Sequence, residues 1–333
     1  MRRLAALLFI PLLATALASC SSGDEGITLY SGRAEVQVKP ILEEFTKATG
    51  IKVKARYGAS AELAAQIAEE GGRTRADVFW AQDAGALGSV DRHGMFGPVP
   101  AEALASVDPR FRADDGNWIG VSGRARVIVY NSRKLQASDL PTSVFQLTDP
   151  KWKGRIGIAP TNGSFQAFVT AMTIQAGDSR TQEWLQGIKA NEPRTYEDNA
   201  LIVKAANDGQ VDVGLVNHYY LFQLGAEIGQ DKLVARNHFT AAGDPGSLVN
   251  VAGVGILKAS RKAADAGRLV QYLLTPETQK HFAERNYEYP LVDGVPPVNG
   301  LVPLDQVHGP DLDLSALGDL EHTLGLLRQV GLL

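Results

Sequence analysis

Two adjacent tyrosines stand directly after a predicted strand, in the segment Asn217-His218-Tyr219-Tyr220. The apolar run at 211–216 is typical of a buried strand, and in open α/β sheets ligands bind beyond the carboxyl ends of strands. Two phenols at such an edge indicate a binding site. The alternative is a helix start whose rings pack into the core. The pair alone leaves both interpretations open.

Two loops have the composition of an anion site. Ser31-Gly32-Arg33 follows the first predicted strand and opens a helix. Its amides and the helix dipole favour an anion, and Arg33 can make a bidentate contact. Asn162-Gly163-Ser164 repeats the arrangement later in the chain. Both segments also fit the alternative of ordinary helix caps, since Ser, Asn and Gly are common before helices.

Arginines interrupt the apolar stretch 119–130. Arg124 and Arg126 lie two residues apart, and Tyr130 follows at even spacing, so all three face the same side of a strand. With the phenol pair and the two helix starts, they predict a cluster of phenols, guanidinium groups and amides.

Common catalytic motifs are missing. The sequence has no GxxxxGK[ST] phosphate loop, no HExxH zinc helix, no GxSxG elbow and no GxGxxG after a strand. The 6 histidines are scattered without metal-ligand spacing. The motif content therefore disfavours an enzyme.

From Ile27 onwards, the sequence alternates between short apolar strands and amphipathic helices. These elements must position the residues named above. This pattern predicts α/β lobes with largely parallel sheets. Gly50 is predicted to end the first helix and Ser60 to cap the second. Two long apolar strands, 119–130 and 248–257, are predicted to cross between lobes.

Length and charge narrow the protein class. A chain of 333 residues suggests about two domains. The net charge is −4 and no long basic block is present, so a nucleic-acid partner is disfavoured.

The N-terminus has the layout of a secretory signal. Arg2 and Arg3 precede a mostly apolar stretch that is too short to cross a bilayer comfortably. Residues 17–20 (LASC) resemble the lipobox of bacterial lipoproteins, in which Cys20 becomes the lipidated first residue. We therefore expect a signal peptide at 1–19, a lipidated tether at 20–26, and an extracytoplasmic, membrane-anchored lipoprotein in the periplasm or at the cell surface.

Several segments resemble the periplasmic ferric-ion-binding proteins, or bacterial transferrins, which deliver iron to ABC importers. The resemblance covers nearly the whole mature chain, and NHYY together with VIVYN is its most specific part. The matching segments are ITLYSGR (27–33), ADVFWAQDAGALG (76–88), SGRARVIVYN (122–131), KWKGRIG (151–157), NHYY (217–220), DPGSLVNVAGVGILKAS (244–260) and EYPL (288–291).

This resemblance implies a role for each matching residue. Tyr219 and Tyr220 match the adjacent tyrosine ligands of the family, and Tyr130 matches the third tyrosine of one subgroup. Arg33 matches an arginine that holds a synergistic carbonate or bicarbonate in that subgroup. Other residues matching the anion site are Ser31, Gly32, Arg124, Asn162, Gly163 and Ser164. Asn199 and Asn217 match residues that surround the metal, and Gln82 is predicted to lie beside them.

Two positions depart from the best-known members of the family. Ala34 and Gln82 stand where those members have His and Glu ligands. The resemblance therefore implies the three-tyrosine subgroup, which completes the coordination of iron with exogenous anions. Fe³⁺ favours anionic oxygen, and three phenolates would balance its charge. Because the pKa of free tyrosine is about 10, binding must release protons, and acid is expected to weaken retention.

The resulting hypothesis is a two-lobed type II periplasmic-binding-protein fold, with two crossover hinge strands and an interlobe cleft that captures Fe³⁺. Lobe one is expected to contain 27–123 and 249–300, and lobe two 124–248 and 301–333. A monomer would close by hinge bending and present iron to an ABC permease with its ATPase. One alternative is a metal-free binder of an organic or phosphorus-containing anion, such as a phosphonate. Another is an enzyme on the same fold.

Overall fold

The computed structural model describes residues 26–333, so the predicted signal peptide and Cys20 lie outside the described residues. Strands β1–β10 are, in chain order, Ile27–Ser31, Val53–Tyr57, Val78–Ala81, Phe96–Gly97, Trp118–Asn131, Ile156–Ile158, Arg194–Thr195, Val213–Asn217, Ala235–His238 and Val249–Leu257. Helices α1–α11 are Glu35–Thr49, Ser60–Glu70, Ala84–Arg92, Ala101–Ala105, Gly163–Ala176, Asp178–Ala190, Asn199–Asn207, Tyr219–Ile228, Ala263–Leu273, Pro276–His281 and Leu320–Val330. Within these residues, no helix is long and apolar enough to span a bilayer.

Strand β5 joins two sheets. Its first part, up to Ala125, pairs antiparallel with β10, and from Arg126 onwards it pairs antiparallel with β8 and β9. The strand order is β2-β1-β3-β10-β5-β8-β6-β7, with parallel pairs towards both ends. The two α/β sheets confirm the predicted two-lobed type II fold.

The second predicted crossover differs from the structure. Strand β10 pairs with β3, β4 and β5 and stays within the first sheet. Strand β9 still belongs to the second sheet. The chain therefore returns to the first sheet at 239–248, before β10 begins.

Local sequence signals predicted several helix ends. Helix α1 ends at Gly50, which has the left-handed φ of 76° that favours glycine. Thr275 caps α10, its hydroxyl accepting from the Thr278 amide. Ser60 does not cap α2, because its hydroxyl accepts a hydrogen bond of 2.8 Å from the Gln82 amide instead. This contact ties the start of α2 to the end of β3.

Three clusters of buried residues fill the two halves. One cluster packs the helices of the first sheet, and the other two cover opposite faces of the second sheet. Leu301, Leu314 and Leu317 belong to the first cluster, whereas Leu327 and Val330 of α11 belong to the second. The lobe boundaries given above remain a prediction.

Candidate functional site

The tyrosine pair lies at the carboxyl end of β8, where α8 begins. The rings of Tyr219 and Tyr220 stack with centroids 4.3 Å apart and planes at 30°. Tyr219 is buried and Tyr220 is half-buried. Burial, followed by the adjacent Tyr219 phenol, raises the pKa of Tyr220. Without a cation beside it, Tyr220 is therefore a neutral phenol at neutral pH.

His218 fixes the turn that precedes the pair. Its Nδ1 accepts a hydrogen bond of 3.1 Å from the Ala125 amide, and its Nε2 lies 2.8 Å from the Tyr287 carbonyl, to which it donates. Burial lowers the pKa of His218 to about 4, so the ring is neutral. Because both ring nitrogens are occupied, His218 positions the tyrosines and has no free nitrogen for a ligand.

The phenols open into a cavity of about 160 Å³ between the two sheets. Its walls come from β5, from the carboxyl ends of β3 and β8, from the start of α5 and from β10. The lining residues are Gln82, Asp83, Arg124, Arg126, Asn162, Gly163, Ser164, Asn217, Tyr219, Tyr220, Leu248 and Asn250. The structure thus brings together most of the residues that the sequence predicts for the metal and anion.

Arg126 lies at the back of this cavity and is almost completely buried. Its Nη1 donates to Ser164 Oγ at 3.1 Å and to Asn199 Oδ1 and Asn217 Oδ1 at 3.2 Å each. Burial lowers its pKa to about 9. Its Nη2 has no hydrogen-bond partner among residues 26–333, nor does the buried Nε of Arg124. Two guanidinium groups therefore retain donors for an anion.

The start of α5 forms part of the same wall. Asn162 is the N-cap, and its Oδ1 accepts from the Ser164 amide at 3.0 Å. Asn199 Nδ2 donates to Ser164 Oγ at 3.3 Å. The positive end of a helix dipole favours an anion here.

Arg33 does not reach the cavity. Its Nη1 and Nη2 donate to the two carboxylate oxygens of Glu288 at 2.7 and 3.0 Å, and Ser122 Oγ donates to the same carboxylate at 2.6 Å. Burial opposes ionisation of Glu288, but the charges of Arg33 and Arg124 outweigh it and hold its pKa below the usual range. Ser31 is also buried away from the cavity, and Gly32 lines an adjoining cleft of about 680 Å³.

Tyr130 is not brought to the tyrosine pair. It lies opposite Val213, the first residue of β8, whereas Arg126 lies opposite Asn217, the last. Tyr130 lies four residue steps along the strand from Arg126, about 13 Å at 3.3 Å per step. Its ring packs against the second hydrophobic cluster. Alternation predicted the correct face of β5 but not the position along the strand.

Asp83 and Asn250 line the cavity and were missed by the sequence analysis. Asp83 directly follows Gln82 and caps α3, accepting from the Ala86 amide at 3.0 Å. Asn250 Oδ1 accepts from the Ala84 amide at 3.1 Å. The sequence signal that could have found Asp83 was its position, because it follows the carboxyl end of β3 just as the tyrosines follow β8.

Comparisons with known proteins agree with this architecture. Residues 74–311 match a family model described as bacterial extracellular solute-binding protein. The chain is 36% identical over 317 residues to an Fe(3+)-binding periplasmic protein of Serratia marcescens, covering 95% of this chain and 93% of that protein. It is 34% identical to the major ferric iron-binding protein of Neisseria meningitidis, covering 96% and 97%.

Two solved structures of related proteins superpose on most of this chain. The crystal structure of iron-bound HitA from Pseudomonas aeruginosa superposes with a TM-score of 0.84 at 37% identity, covering 92% of this chain and 99% of that one. The Trichodesmium protein IdiA (FutA), in complex with iron and citrate, superposes with a TM-score of 0.82 at 32% identity, covering 92% and 99%. The chain therefore belongs to the bacterial extracellular solute-binding proteins and, among them, to the periplasmic ferric-ion-binding proteins.

Proposed function

We propose that this protein captures Fe³⁺ in the interlobe cavity, using Tyr219 and Tyr220 as phenolate ligands and a small anion held by Arg124 and Arg126. One observation carries the proposal: stacked phenols and buried guanidinium groups with unpartnered nitrogens line the same cavity of about 160 Å³. Phenolates suit a hard trivalent cation, and guanidinium groups suit its counter-anion.

Binding of Fe³⁺ depends on the protonation of the two phenols. Because burial raises the pKa of Tyr220, the metal must displace its proton on binding. Two phenolates leave several positions of an octahedron open. We assign some of these positions to carbonate or bicarbonate, bound between Arg126, Arg124 and the start of α5.

Relatives support iron as the solute. The Serratia and Neisseria proteins are named for ferric iron binding, and the Pseudomonas and Trichodesmium structures contain iron. The citrate in the Trichodesmium complex is an alternative to carbonate as the accompanying anion.

Capture would be followed by closure and delivery. The change of partner within β5 at Ala125 and Arg126, together with the return segment 239–248, gives the two places where the lobes can bend relative to each other. We propose that a lipid on Cys20 holds the protein at the membrane, where it passes iron to an ABC permease and its ATPase. Replacing Cys20 with Ser should move the protein from the membrane fraction to the soluble fraction.

The function is tested by loading purified protein with Fe³⁺ and bicarbonate, removing unbound metal, and measuring iron content and visible absorbance. We expect about one iron per chain and a phenolate-to-iron charge-transfer band. The double variant Tyr219→Phe/Tyr220→Phe should be colourless and retain no iron. A colourless, metal-free native protein would contradict the proposal.

The arginines and the α5 start also fit a metal-free anion binder. That function predicts that the native protein binds a phosphonate tightly without iron, and that Tyr219→Phe barely changes this affinity. Titration of metal-free protein with methylphosphonate separates the two functions.

A further inference from the structure

We propose that Asp83 supplies a third anionic oxygen for Fe³⁺, donated from the first lobe across the cleft from the tyrosine pair. The inference rests on the proposed function, and it concerns a residue at which neither the sequence pattern nor the resemblance indicated a ligand.

The backbone that carries Asp83 is held firmly. The Asp83 Oδ1 atom caps α3 by accepting from the Ala86 amide at 3.0 Å, and Asn250 Oδ1 accepts from the neighbouring Ala84 amide at 3.1 Å. The preceding Gln82 amide donates to Ser60 Oγ at 2.8 Å. These contacts fix the position of the carboxylate relative to the first sheet.

One oxygen of this carboxylate remains available. Asp83 Oδ2 makes no hydrogen bond and no ion pair within residues 26–333, although Arg124 and Arg126 line the same cavity. Asp83 is half-buried, and it also lines the adjoining cleft of about 680 Å³. Among residues 26–333, it is the one carboxylate that lines either cavity. Asp83 therefore lies between the phenol-lined cavity and the cleft.

Charge balance favours an acidic ligand at this place. Tyr130 lies at the far end of β5, so within the described part of the chain two phenols, those of Tyr219 and Tyr220, line the cavity. Two phenolates leave one positive charge of Fe³⁺ uncompensated, and a carboxylate supplies the missing charge with a hard oxygen donor. Arg124 and Arg126 then remain to balance the bound anion.

Ligation by Asp83 would also link binding to closure. The tyrosines belong to the second sheet, and Asp83 follows β3 of the first. A metal ion bound by both sides holds the lobes together, which stabilises the closed form by the free energy of the added bond. Iron would thus favour closure directly through its own coordination.

The test compares Asp83→Asn with native protein, loaded with Fe³⁺ and bicarbonate and challenged with increasing citrate. Asparagine is an equally good N-cap, so α3 is preserved while the charge is lost. The matched control is Asp149→Asn, because Asp149 is an exposed N-cap that accepts from the Lys151 amide at 2.9 Å, outside both cavities. Unfolding curves of the metal-free proteins check that both variants fold.

We expect Asp83→Asn to keep the phenolate-to-iron band but to lose iron at a citrate concentration at least about tenfold lower, a loss of about 1.4 kcal/mol. Its radius of gyration in solution scattering should also shrink less on iron loading than that of native protein or Asp149→Asn. Iron retention and compaction equal to native would overturn the role of Asp83 and leave the proposed function intact. Absence of the band from native protein would instead overturn the proposed function.

Discussion

Two arginines, Arg33 and Arg126, are buried to a similar depth, with exposed fractions of 2% and 3%. Arg33 makes a bidentate ion pair with Glu288. Arg126 makes its hydrogen bonds to a hydroxyl and two amide oxygens and has no carboxylate partner among the described residues, although each arginine keeps one buried nitrogen without a partner there. The charge of a buried arginine with a carboxylate partner is balanced within the fold, whereas the charge of one with neutral partners is left for an external anion.

The largest expected effect is a loss of stability when the carboxylate partner of Arg33 is removed. Glu288→Gln leaves the charge of Arg33 buried without a counter-charge, so we expect the free energy of unfolding to fall by about 3–5 kcal/mol. Urea denaturation of metal-free protein measures this loss. The control is Asp108→Asn, which removes the partner of the exposed Arg110 and should cost less than about 1 kcal/mol. Equal losses in the two variants would show that the buried Glu288 contributes no more to stability than the exposed Asp108.

The next largest effect on stability is expected from protonation of His218. This residue links the tyrosine pair to the segment that carries Glu288. Its folded-state pKa is about 4, below the ordinary value of about 6.5. The unfolded chain therefore takes up the proton first as pH falls. The stability from neutral His218 is complete above about pH 6.5 and is lost progressively towards pH 4, up to about 3 kcal/mol.

Urea denaturation of the metal-free protein between pH 7 and 4 measures this loss. Other groups also titrate in this range, so the informative quantity is the difference between native protein and His218→Gln. The variant should lose less stability on acidification, and parallel curves would contradict the role of His218.

Arg126→Gln tests whether the other buried arginine binds the anion. We expect the variant to need about tenfold more bicarbonate to retain iron, equivalent to about 1.4 kcal/mol, because the charged donor to the anion is lost. Arg236→Gln is the control, since Arg236 is exposed on β9 of the same sheet. An unchanged bicarbonate requirement in Arg126→Gln would show that the anion does not contact this arginine.

Tyr130→Phe should have the smallest effect. The variant loses one hydroxyl at the far end of β5 and keeps the ring that packs on the second cluster. We expect iron retention to equal that of native protein and the free energy of unfolding to change by no more than about 0.5 kcal/mol. Loss of the visible band in this variant would place Tyr130 back among the ligands.

Local signals predicted much of the fold. Helix α1 ends at Gly50 as predicted, because glycine stops act within a few residues. The position of the tyrosine pair followed from its place after β8.

The remaining features depend on contacts that are distant in sequence. Arg33 is held by Glu288, which lies 255 positions further along the chain, and no local pattern reveals that partner. Tyr130 shares a face with Arg126, but only the strand register shows that it lies opposite Val213. Asp83 fits the pattern of an ordinary N-cap, and only the assembled cavity shows that one of its oxygens is available.

The most direct test of the central claim is the visible and resonance Raman spectrum of iron-loaded Tyr220→Phe, recorded beside native protein at neutral pH. If the cavity at the carboxyl end of β8 binds Fe³⁺ through its phenolates, the charge-transfer band weakens and shifts and the phenolate vibrations decrease in the variant. A variant spectrum identical to that of native protein would contradict the claim.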